Sequence, residues 1–310
     1  MSKIIVAGLI NIETTLKVKG FPIEYFPVDY PFFGINTTVS GVGLNITKAM
    51  SVLGDDVNLL SLVGDDFEGD KVKSLFQKEG WNSDYIKSGL KNTPQSIILY
   101  DPSGRREIYC DLKDIQEKSY DENKFIEAIK GARCAILCNI NFSRPLLRMA
   151  KEAGLMIATD VHVLDNINDE YNRDYMEAAD ILFLSDERLP KKPEEFIIDL
   201  KNRHICVIIV IGLGSKGALI YDRTTDELSH IEAVRTRNVV NTIGAGDALF
   251  SSFVHYYVKG YKPIEAIKRA TAFASYKIGE TGAANGFLDE AGLEEIYKAV
   301  DFKIKKIVRG

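Results

Sequence analysis

The 310-residue sequence has few of the residues that form disulfides or zinc sites, with only four cysteines and four histidines. No two cysteines have Cys-x-x-Cys spacing and all four lie in apolar runs, so we expect buried thiols rather than metal ligands. No apolar run reaches the roughly 18 residues that cross a bilayer. The N-terminal segment is typical of a first strand and not of a signal peptide. The sequence therefore predicts a cytoplasmic protein with no membrane partner.

The sequence also has no excess of basic residues. The 39 Lys and Arg residues are outnumbered by 44 Asp and Glu residues, which gives a net charge of −5. Because binding to a phosphate backbone depends on clustered Lys and Arg, we do not expect nucleic acid as a partner. The hydrophobic fraction of 45% is instead enough to form a large core.

What the sequence does contain is one organising stretch, from Asn241 to Phe250, where a β-rich run meets small residues and then a helical pattern. The backbone N–H groups of Gly244, Ala245 and Gly246 can point into one concavity at the start of that helix and hold a phosphoryl group. Asp247 falls in the first turn, where its carboxylate could accept a proton from an attacking hydroxyl. The alternative is that the glycines only make a turn and that the helix dipole favours the aspartate.

The segment Thr242–Asp247 resembles the signature of the PfkB/ribokinase family of sugar and nucleoside kinases, in which the aspartate is the catalytic base. A second stretch, Ser40–Asn45, resembles the family's Gly-Gly-x-x-x-Asn substrate motif. Its sequel Val63–Gly69 resembles Val-Gly-x-Asp-x-x-Gly. These motifs lie in the family order and about two hundred residues apart, so the chain is identified as a member over nearly its whole length.

The resemblance implies both a fold and a reaction. The fold would be an α/β, ribokinase-like kinase domain over residues 1–310, with a doubly wound, mostly parallel sheet flanked by helices and a small discontinuous β lid. The reaction would transfer the γ-phosphoryl group of ATP to a primary hydroxyl of a sugar or ribonucleoside. Strand and helix patterns that alternate between residues 134 and 184 independently predict βαβ units.

Two β-rich segments, at about residues 14–38 and 95–110, interrupt this alternation. By the resemblance they form the lid, which closes over substrate and excludes water. The aromatic stretch 21–33 is expected to lie between two lids, which predicts a homodimer.

The resemblance assigns the substrate to polar and glycine positions in the first half of the chain. Asn11 matches the family's Asn-x-Asp pair in a loop after the first strand, whereas Glu13 replaces the aspartate by a residue one methylene longer. Glycines without side chains would let the ligand approach the backbone, and amides can both donate and accept hydrogen bonds. The candidate residues are Asn11, Glu13, Gly41, Gly43, Asn45 and Asn141.

Residues of the second half are assigned to ATP. The segment Gly212–Gly217 fits Gly-x-Gly-x-x-Gly, but a strand pattern follows it, so we expect a hairpin rather than a dinucleotide site. The resemblance implies that this segment lines the ATP phosphates and that its lysine faces them. The ATP candidates are Ser185, Gly212, Gly214, Lys216, Gly217, Asn241 and Thr271.

The family's Mg²⁺ motif is matched poorly, because Ser185 and Arg188 stand at its two polar positions. Asp186 or Glu187 is the candidate substitute, since Mg²⁺ keeps most of its waters and needs few carboxylates. The resemblance also implies a monovalent cation such as K⁺ near the nucleotide. Thr271 stands where the family frequently has an asparagine.

Three alternatives stay open at this point. Asn141, Asn241 and the spacing of Gly41–Asn45 resemble pseudouridine kinases, which favours a ribonucleoside acceptor. The poor match to the Mg²⁺ motif leaves a catalytically silent sugar-binding regulator, and Gly212–Gly217 leaves an oxidoreductase. A basic segment, 303–309, is expected to be a solvated end.

Overall fold

The computed structural model describes residues 2–307, within which helices and strands alternate for most of the chain. The strands are β1 (Lys3–Ala7), β2 (Asn11–Lys17), β3 (Ile35–Ser40), β4 (Asp56–Gly64), β5 (Ile86–Leu90), β6 (Gln95–Tyr100), β7 (Arg106–Asp111), β8 (Cys134–Leu137), β9 (Met156–Val163), β10 (Ile181–Ser185), β11 (Ile208–Gly212), β12 (Ala218–Asp222), β13 (Glu227–Ile231) and β14 (Ile304–Lys306). The helices are α1 (Val42–Val52), α2 (Phe67–Glu79), α3 (Glu122–Ala128), α4 (Arg144–Glu152), α5 (Arg173–Ala178), α6 (Pro193–Arg203), α7 (Ala245–Val258), α8 (Pro263–Lys277) and α9 (Glu290–Ala299).

Ten of these strands form one large sheet within residues 2–307, in the order β14-β13-β12-β11-β10-β9-β8-β1-β4-β5. Neighbouring strands pair in parallel through the series β11, β10, β9, β8, β1, β4 and β5. At the β11 side, β12, β13 and β14 add antiparallel partners. The prediction of a mostly parallel sheet flanked by helices is confirmed.

The central strand β1 explains why both faces of this sheet are covered. Ile4 and Val6 point into one apolar cluster, with α1, α7 and α8, while Ile5 and Ala7 point into another, with α4, α5 and α6. All four side chains are fully buried. A continuous apolar run is what a parallel strand with helices on both faces requires.

The remaining four strands form a small second sheet, in the order β3-β2-β6-β7. It occupies the two segments predicted for the lid, and we call it the lid sheet. A connection between β2 and β3 carries several exposed aromatic side chains, namely Tyr25, Phe26, Tyr30, Phe32 and Phe33.

The structure departs from the sequence-based expectations in a few places. Asn11 and Glu13 lie in β2 rather than in a loop, so their side chains share one face of a strand. Cys110 is exposed in β7, while the other three thiols are buried. Ile304–Lys306 is a strand that pairs with β13 rather than a solvated end, and residues 308–310 lie outside the described part. No helix within residues 2–307 is long and apolar enough to cross a membrane.

Candidate active site

The start of α7 forms the glycine turn that the sequence predicts as a phosphoryl site, and we name it the anion-binding turn after that prediction. Gly244 is the N-cap residue in a left-handed conformation, with φ of 75°, and a Cβ there would lie 2.5 Å from the carbonyl oxygen of Ala283. Glycine is therefore required on both counts. The N–H of Ala245, which the sequence assigns to the phosphoryl concavity, instead donates to the Thr242 carbonyl oxygen at 3.2 Å and closes the turn. The N–H groups of Gly244 and Gly246 stand at the helix start, where no intrahelical acceptor exists.

Asp247 lies in the first turn of α7 and is tied to the first half of the chain. Its Oδ2 accepts a hydrogen bond from Asn45 Nδ2 at 2.7 Å, which joins α7 to α1. The Ser40 hydroxyl lies 3.2 Å from Asn45 Oδ1 and donates to Glu13 Oε2 at 3.0 Å. A continuous polar path thus runs from Glu13 on the lid sheet to Asp247 at the anion-binding turn.

Burial governs the protonation of both carboxyl groups in this path. Burial raises the pKa of Asp247 above its ordinary value, although the Asn45 hydrogen bond and the nearby charges of His162 and Lys277 oppose the rise. Burial likewise raises the pKa of Glu13, against the Ser40 hydrogen bond. The helix dipole, which favours the charged form of Asp247, therefore does not bring its pKa below the ordinary value, and burial is the largest cause of the shift.

The β2 face beside this path carries two buried acceptor atoms. Asn11 donates from Nδ2 to Ser96 Oγ at 2.9 Å. Asn11 Oδ1 and Glu13 Oε1 are buried and have no hydrogen-bond partner of regular geometry within residues 2–307, although the Ala283 N–H lies near enough to Glu13 to favour its ionised form. Buried acceptors of this kind normally have donors, and hydroxyl groups of a bound ligand are suitable donors.

Packing within the protein requires glycine at Gly41 and Gly43. A Cβ on Gly43 would lie 2.6 Å from the carbonyl carbon of Gly8, and one on Gly41 would lie 2.5 Å from the Leu9 carbonyl oxygen. These glycines let the start of α1 pack against the backbone that follows β1. That close packing sets the position of Asn45.

The nucleotide candidates lie where β10 and β11 end. Ser185 and Gly212 are paired residues of these strands, and the N–H of Asp186 donates to Gly212 O at 2.9 Å. Gly214 and Lys216 form the following short turn, and Gly217 has a φ of 99° that starts the return strand. As predicted, this segment is a hairpin.

Charged side chains of both signs lie where β10 and β11 end. Burial raises the pKa of Asp186, and the positive charge of Lys216 opposes that rise. Glu187 is exposed, and its Oε1 lies 3.8 Å from Arg106 Nη2 of the lid sheet. Within residues 2–307 no cluster of three or more His, Cys, Asp or Glu side chains is arranged to hold a metal ion.

Comparison with known proteins identifies the family of this chain. The sequence model described as pfkB family carbohydrate kinase matches residues 1–291. The chain belongs to the PfkB family. It is 26% identical to the ribokinase of Dictyostelium discoideum over 92% of this chain and 97% of that protein. It is also 25% identical to the pseudouridine kinase of Escherichia coli over 78% of this chain and 80% of that protein.

A solved structure shares the fold. The structure of a microbiome-derived acarbose kinase matches with a TM-score of 0.85 at 24% identity, over 96% of this chain and 99% of that one. The ribokinase-like fold predicted for the chain is confirmed. As a PfkB carbohydrate kinase, the protein is an ATP-dependent phosphotransferase that acts on a hydroxyl group.

Three predicted PfkB site residues have polar atoms that are already used within the protein. Asn141 donates from its side chain to Gln116 O at 3.0 Å and accepts from Arg144 at 3.3 Å. Asn241 Oδ1 accepts from the N–H of Ile243 at 3.1 Å, and the Thr271 hydroxyl donates to Ile267 O at 2.8 Å. In this structure, these hydrogen bonds connect neighbouring turns and helices.

Sequence reasoning missed two cations next to the PfkB signature. Arg106 reaches from β7 to Thr242, with Nη1 3.2 Å from its carbonyl oxygen and 3.3 Å from its hydroxyl. Lys277, the last residue of α8, has its Nζ bonded to Ile243 O and to Gly282 O. A lysine at a helix C-terminus is typically a solvated partner of the helix dipole, so its position carried no signal of burial.

Proposed function

We propose that this PfkB kinase phosphorylates a primary hydroxyl of a sugar or sugar-containing small molecule, with Asp247 as the proton acceptor. The observation that supports this most is the path Glu13–Ser40–Asn45–Asp247, which ends at the anion-binding turn. The two buried acceptor atoms of Asn11 and Glu13 lie beside it and suit adjacent hydroxyl groups of a sugar.

The proposed chemistry follows from this placement. The acceptor hydroxyl attacks the γ-phosphorus and transfers its proton to Asp247 as the new P–O bond forms and the bond to ADP breaks. The N–H groups of Gly244 and Gly246 stabilise the charge that develops on the transferring phosphoryl oxygens. Asn45 orients the carboxylate through its 2.7 Å hydrogen bond.

Lys216 and Asp186 are proposed to serve the ATP phosphates. A partly buried carboxylate next to a lysine fits a Mg²⁺ ion that keeps most of its waters, so Asp186 is a better candidate than the exposed Glu187. When bound, Mg²⁺ would neutralise phosphate charge. Ser185, Gly212, Gly214 and Gly217 shape the turn on which these side chains stand.

A sugar is preferred over a ribonucleoside as the acceptor. The nucleoside hypothesis depended on Asn141, Asn241 and the spacing of Gly41–Asn45. The side-chain oxygens of the two asparagines already accept hydrogen bonds within the protein. Relatives of both kinds exist, including a nucleoside kinase of Methanothermobacter thermautotrophicus that is 25% identical over 80% of this chain. The acceptor panel must therefore contain both classes.

The lid sheet is proposed to close on the acceptor and to carry a homodimer contact. Its exposed aromatic side chains, at residues 25–33, form the apolar surface that such a contact would cover. A cytoplasmic location, where ATP is supplied, is part of the proposal.

The test is an ATP-consumption assay on the full chain with Mg²⁺, over free sugars, sugar phosphates, oligosaccharides and nucleosides. Turnover with a free or conjugated sugar and none without an acceptor is expected. Turnover only with nucleosides would show that the acceptor is a nucleoside and not a sugar. Binding of sugars without any ATP consumption would instead support a silent regulator and overturn the proposal.

A further inference from the structure

The Lys277 ammonium is buried next to the anion-binding turn. The residue is 0% exposed, and Nζ donates to Gly282 O at 2.6 Å and to Ile243 O. Fully buried lysines are rare, because removing the ammonium from water is costly unless it is paired. Burial lowers the pKa of Lys277 to about 8, against the negative charges of Asp247 and Glu13, which favour the ammonium form. The cation therefore remains the main form at neutral pH.

The first of the two carbonyls orients the anion-binding turn. Ile243 O and the N–H of Gly244 belong to one peptide group, which is planar and trans, so the two bonds point in opposite directions. When Lys277 binds the carbonyl from the α8 side, the N–H of Gly244 is turned away from α8. This is the N–H that the proposed function assigns to the transferring phosphoryl group.

The second carbonyl fixes the loop that packs against the turn. Gly282 O belongs to the peptide group whose N–H is that of Ala283. That N–H favours the ionised form of Glu13, and Ala283 O occupies the space that a Cβ on Gly244 would need. One ammonium thus connects the anion-binding turn, the 279–286 loop and the carboxylate of Glu13, which is proposed to bind the substrate.

We propose that Lys277 is a built-in cation that positions the anion-binding turn and replaces a soluble monovalent cation. The inference builds on the proposed function. Backbone carbonyl oxygens are ligands that a cation such as K⁺ would take, but here Nζ already binds them. The structure therefore does not fit the K⁺ ion that the family resemblance implies, and turnover should not require K⁺ or Na⁺.

The test compares KCl with tetramethylammonium chloride at equal ionic strength and measures turnover and the thermal midpoint. For the wild-type chain, both quantities should be the same in the two salts. Lys277→Ala should lose roughly tenfold or more in kcat in tetramethylammonium chloride, because the turn is no longer positioned. KCl or methylammonium chloride should restore part of that loss and raise the thermal midpoint of this variant, by occupying the space beside the two carbonyls.

Lys268→Ala is the matched control, since Lys268 lies on the same helix and forms a part-buried ion pair with Glu265 rather than a contact with the anion-binding turn. It should show neither the loss nor the salt response. If Lys277→Ala does not fold, Lys277→Met keeps the volume with an apolar side chain and should fold with low kcat in both salts.

A wild-type requirement for KCl would overturn the inference. So would full turnover of Lys277→Ala, or of Lys277→Met, in tetramethylammonium chloride. If no acceptor supports turnover, the proposed function fails while the thermal midpoints still test Lys277. A selective KCl effect on Lys277→Ala would then support the inference, and its absence would reject it.

Discussion

The most informative substitution is Asp247→Asn, which changes one oxygen into an NH₂ group at nearly constant size. In the wild-type chain, Oδ2 accepts the Asn45 hydrogen bond at 2.7 Å, which leaves Oδ1 to take the proton of the acceptor hydroxyl. In the variant, the amide oxygen can still accept from Asn45, but the NH₂ group then faces the acceptor. An amide nitrogen donates and does not accept, so the proton has no destination.

The expected loss in kcat is roughly 10² to 10⁴, the usual contribution of a positioned general base. Since each factor of ten corresponds to about 1.4 kcal/mol, this is about 3 to 5 kcal/mol of activation free energy. The free energy of unfolding, by contrast, should not fall in the Asp247→Asn variant. Because the pKa of Asp247 is raised in the folded protein, its stabilising contribution is complete at low pH and is lost as pH rises through the folded pKa. At neutral pH the variant should therefore be as stable as the wild-type chain, or slightly more so.

The assay is ATP consumption as a function of pH, with thermal unfolding in parallel. Wild-type kcat should rise with pH through a pKa above the ordinary aspartate value, and the variant should lack this acid limb. Asp121→Asn is the control, because Asp121 caps the start of α3 and accepts from Asn123 N and Lys124 N far from the polar path. A variant Asp247→Asn that keeps most of its phosphoryl transfer would refute the assignment.

Gly244→Ala should lose ATP affinity and turnover, whereas Gly260→Ala should lose only stability, by roughly 1–2 kcal/mol. Both glycines have a positive φ, but of these two positions only Gly244 has another atom within contact distance of an added Cβ. Equal kinetics for the two variants would contradict this reasoning. Arg106→Ala should raise the KM for ATP by roughly tenfold, because its guanidinium lies at the anion-binding turn, while Arg148→Ala, in a surface ion pair, should not. An unchanged KM in Arg106→Ala would show that this contact only ties the lid sheet down. Amides of the lid sheet should exchange faster than those of the large sheet and slow when acceptor is added, and equal exchange in both states would argue against closure.

Most of the fold could be predicted from local patterns. Continuous apolar runs such as 134–137 gave the buried strands, and the helical spacing around Phe250 and Phe253 gave α7. The boundaries were less certain where packing decides them. Asn11 was expected in a loop, yet it pairs with Ser40 as the first residue of β2.

The candidate site was predictable only where a motif marks it. Gly244 and Asp247 lie in a recognisable stretch, and the structure brings Asp247 into contact with Asn45, 202 positions away. Arg106 and Lys277 carry no such mark, because their roles depend on which backbone carbonyls the fold places opposite them. Composition cannot show that a particular lysine is buried.

The pairing of β14 with β13 has a consequence for handling this protein. β14 covers the backbone of β13, and the hydrogen bond from Ile307 N to Leu228 O extends that cover. A chain shortened before Lys303 would leave β13 with unpaired N–H and C=O groups, onto which a strand from a second molecule could add. The exposed Lys305 and Lys306 discourage such strand addition in the intact sheet. Truncation here should therefore reduce solubility at high concentration before it reduces catalytic competence.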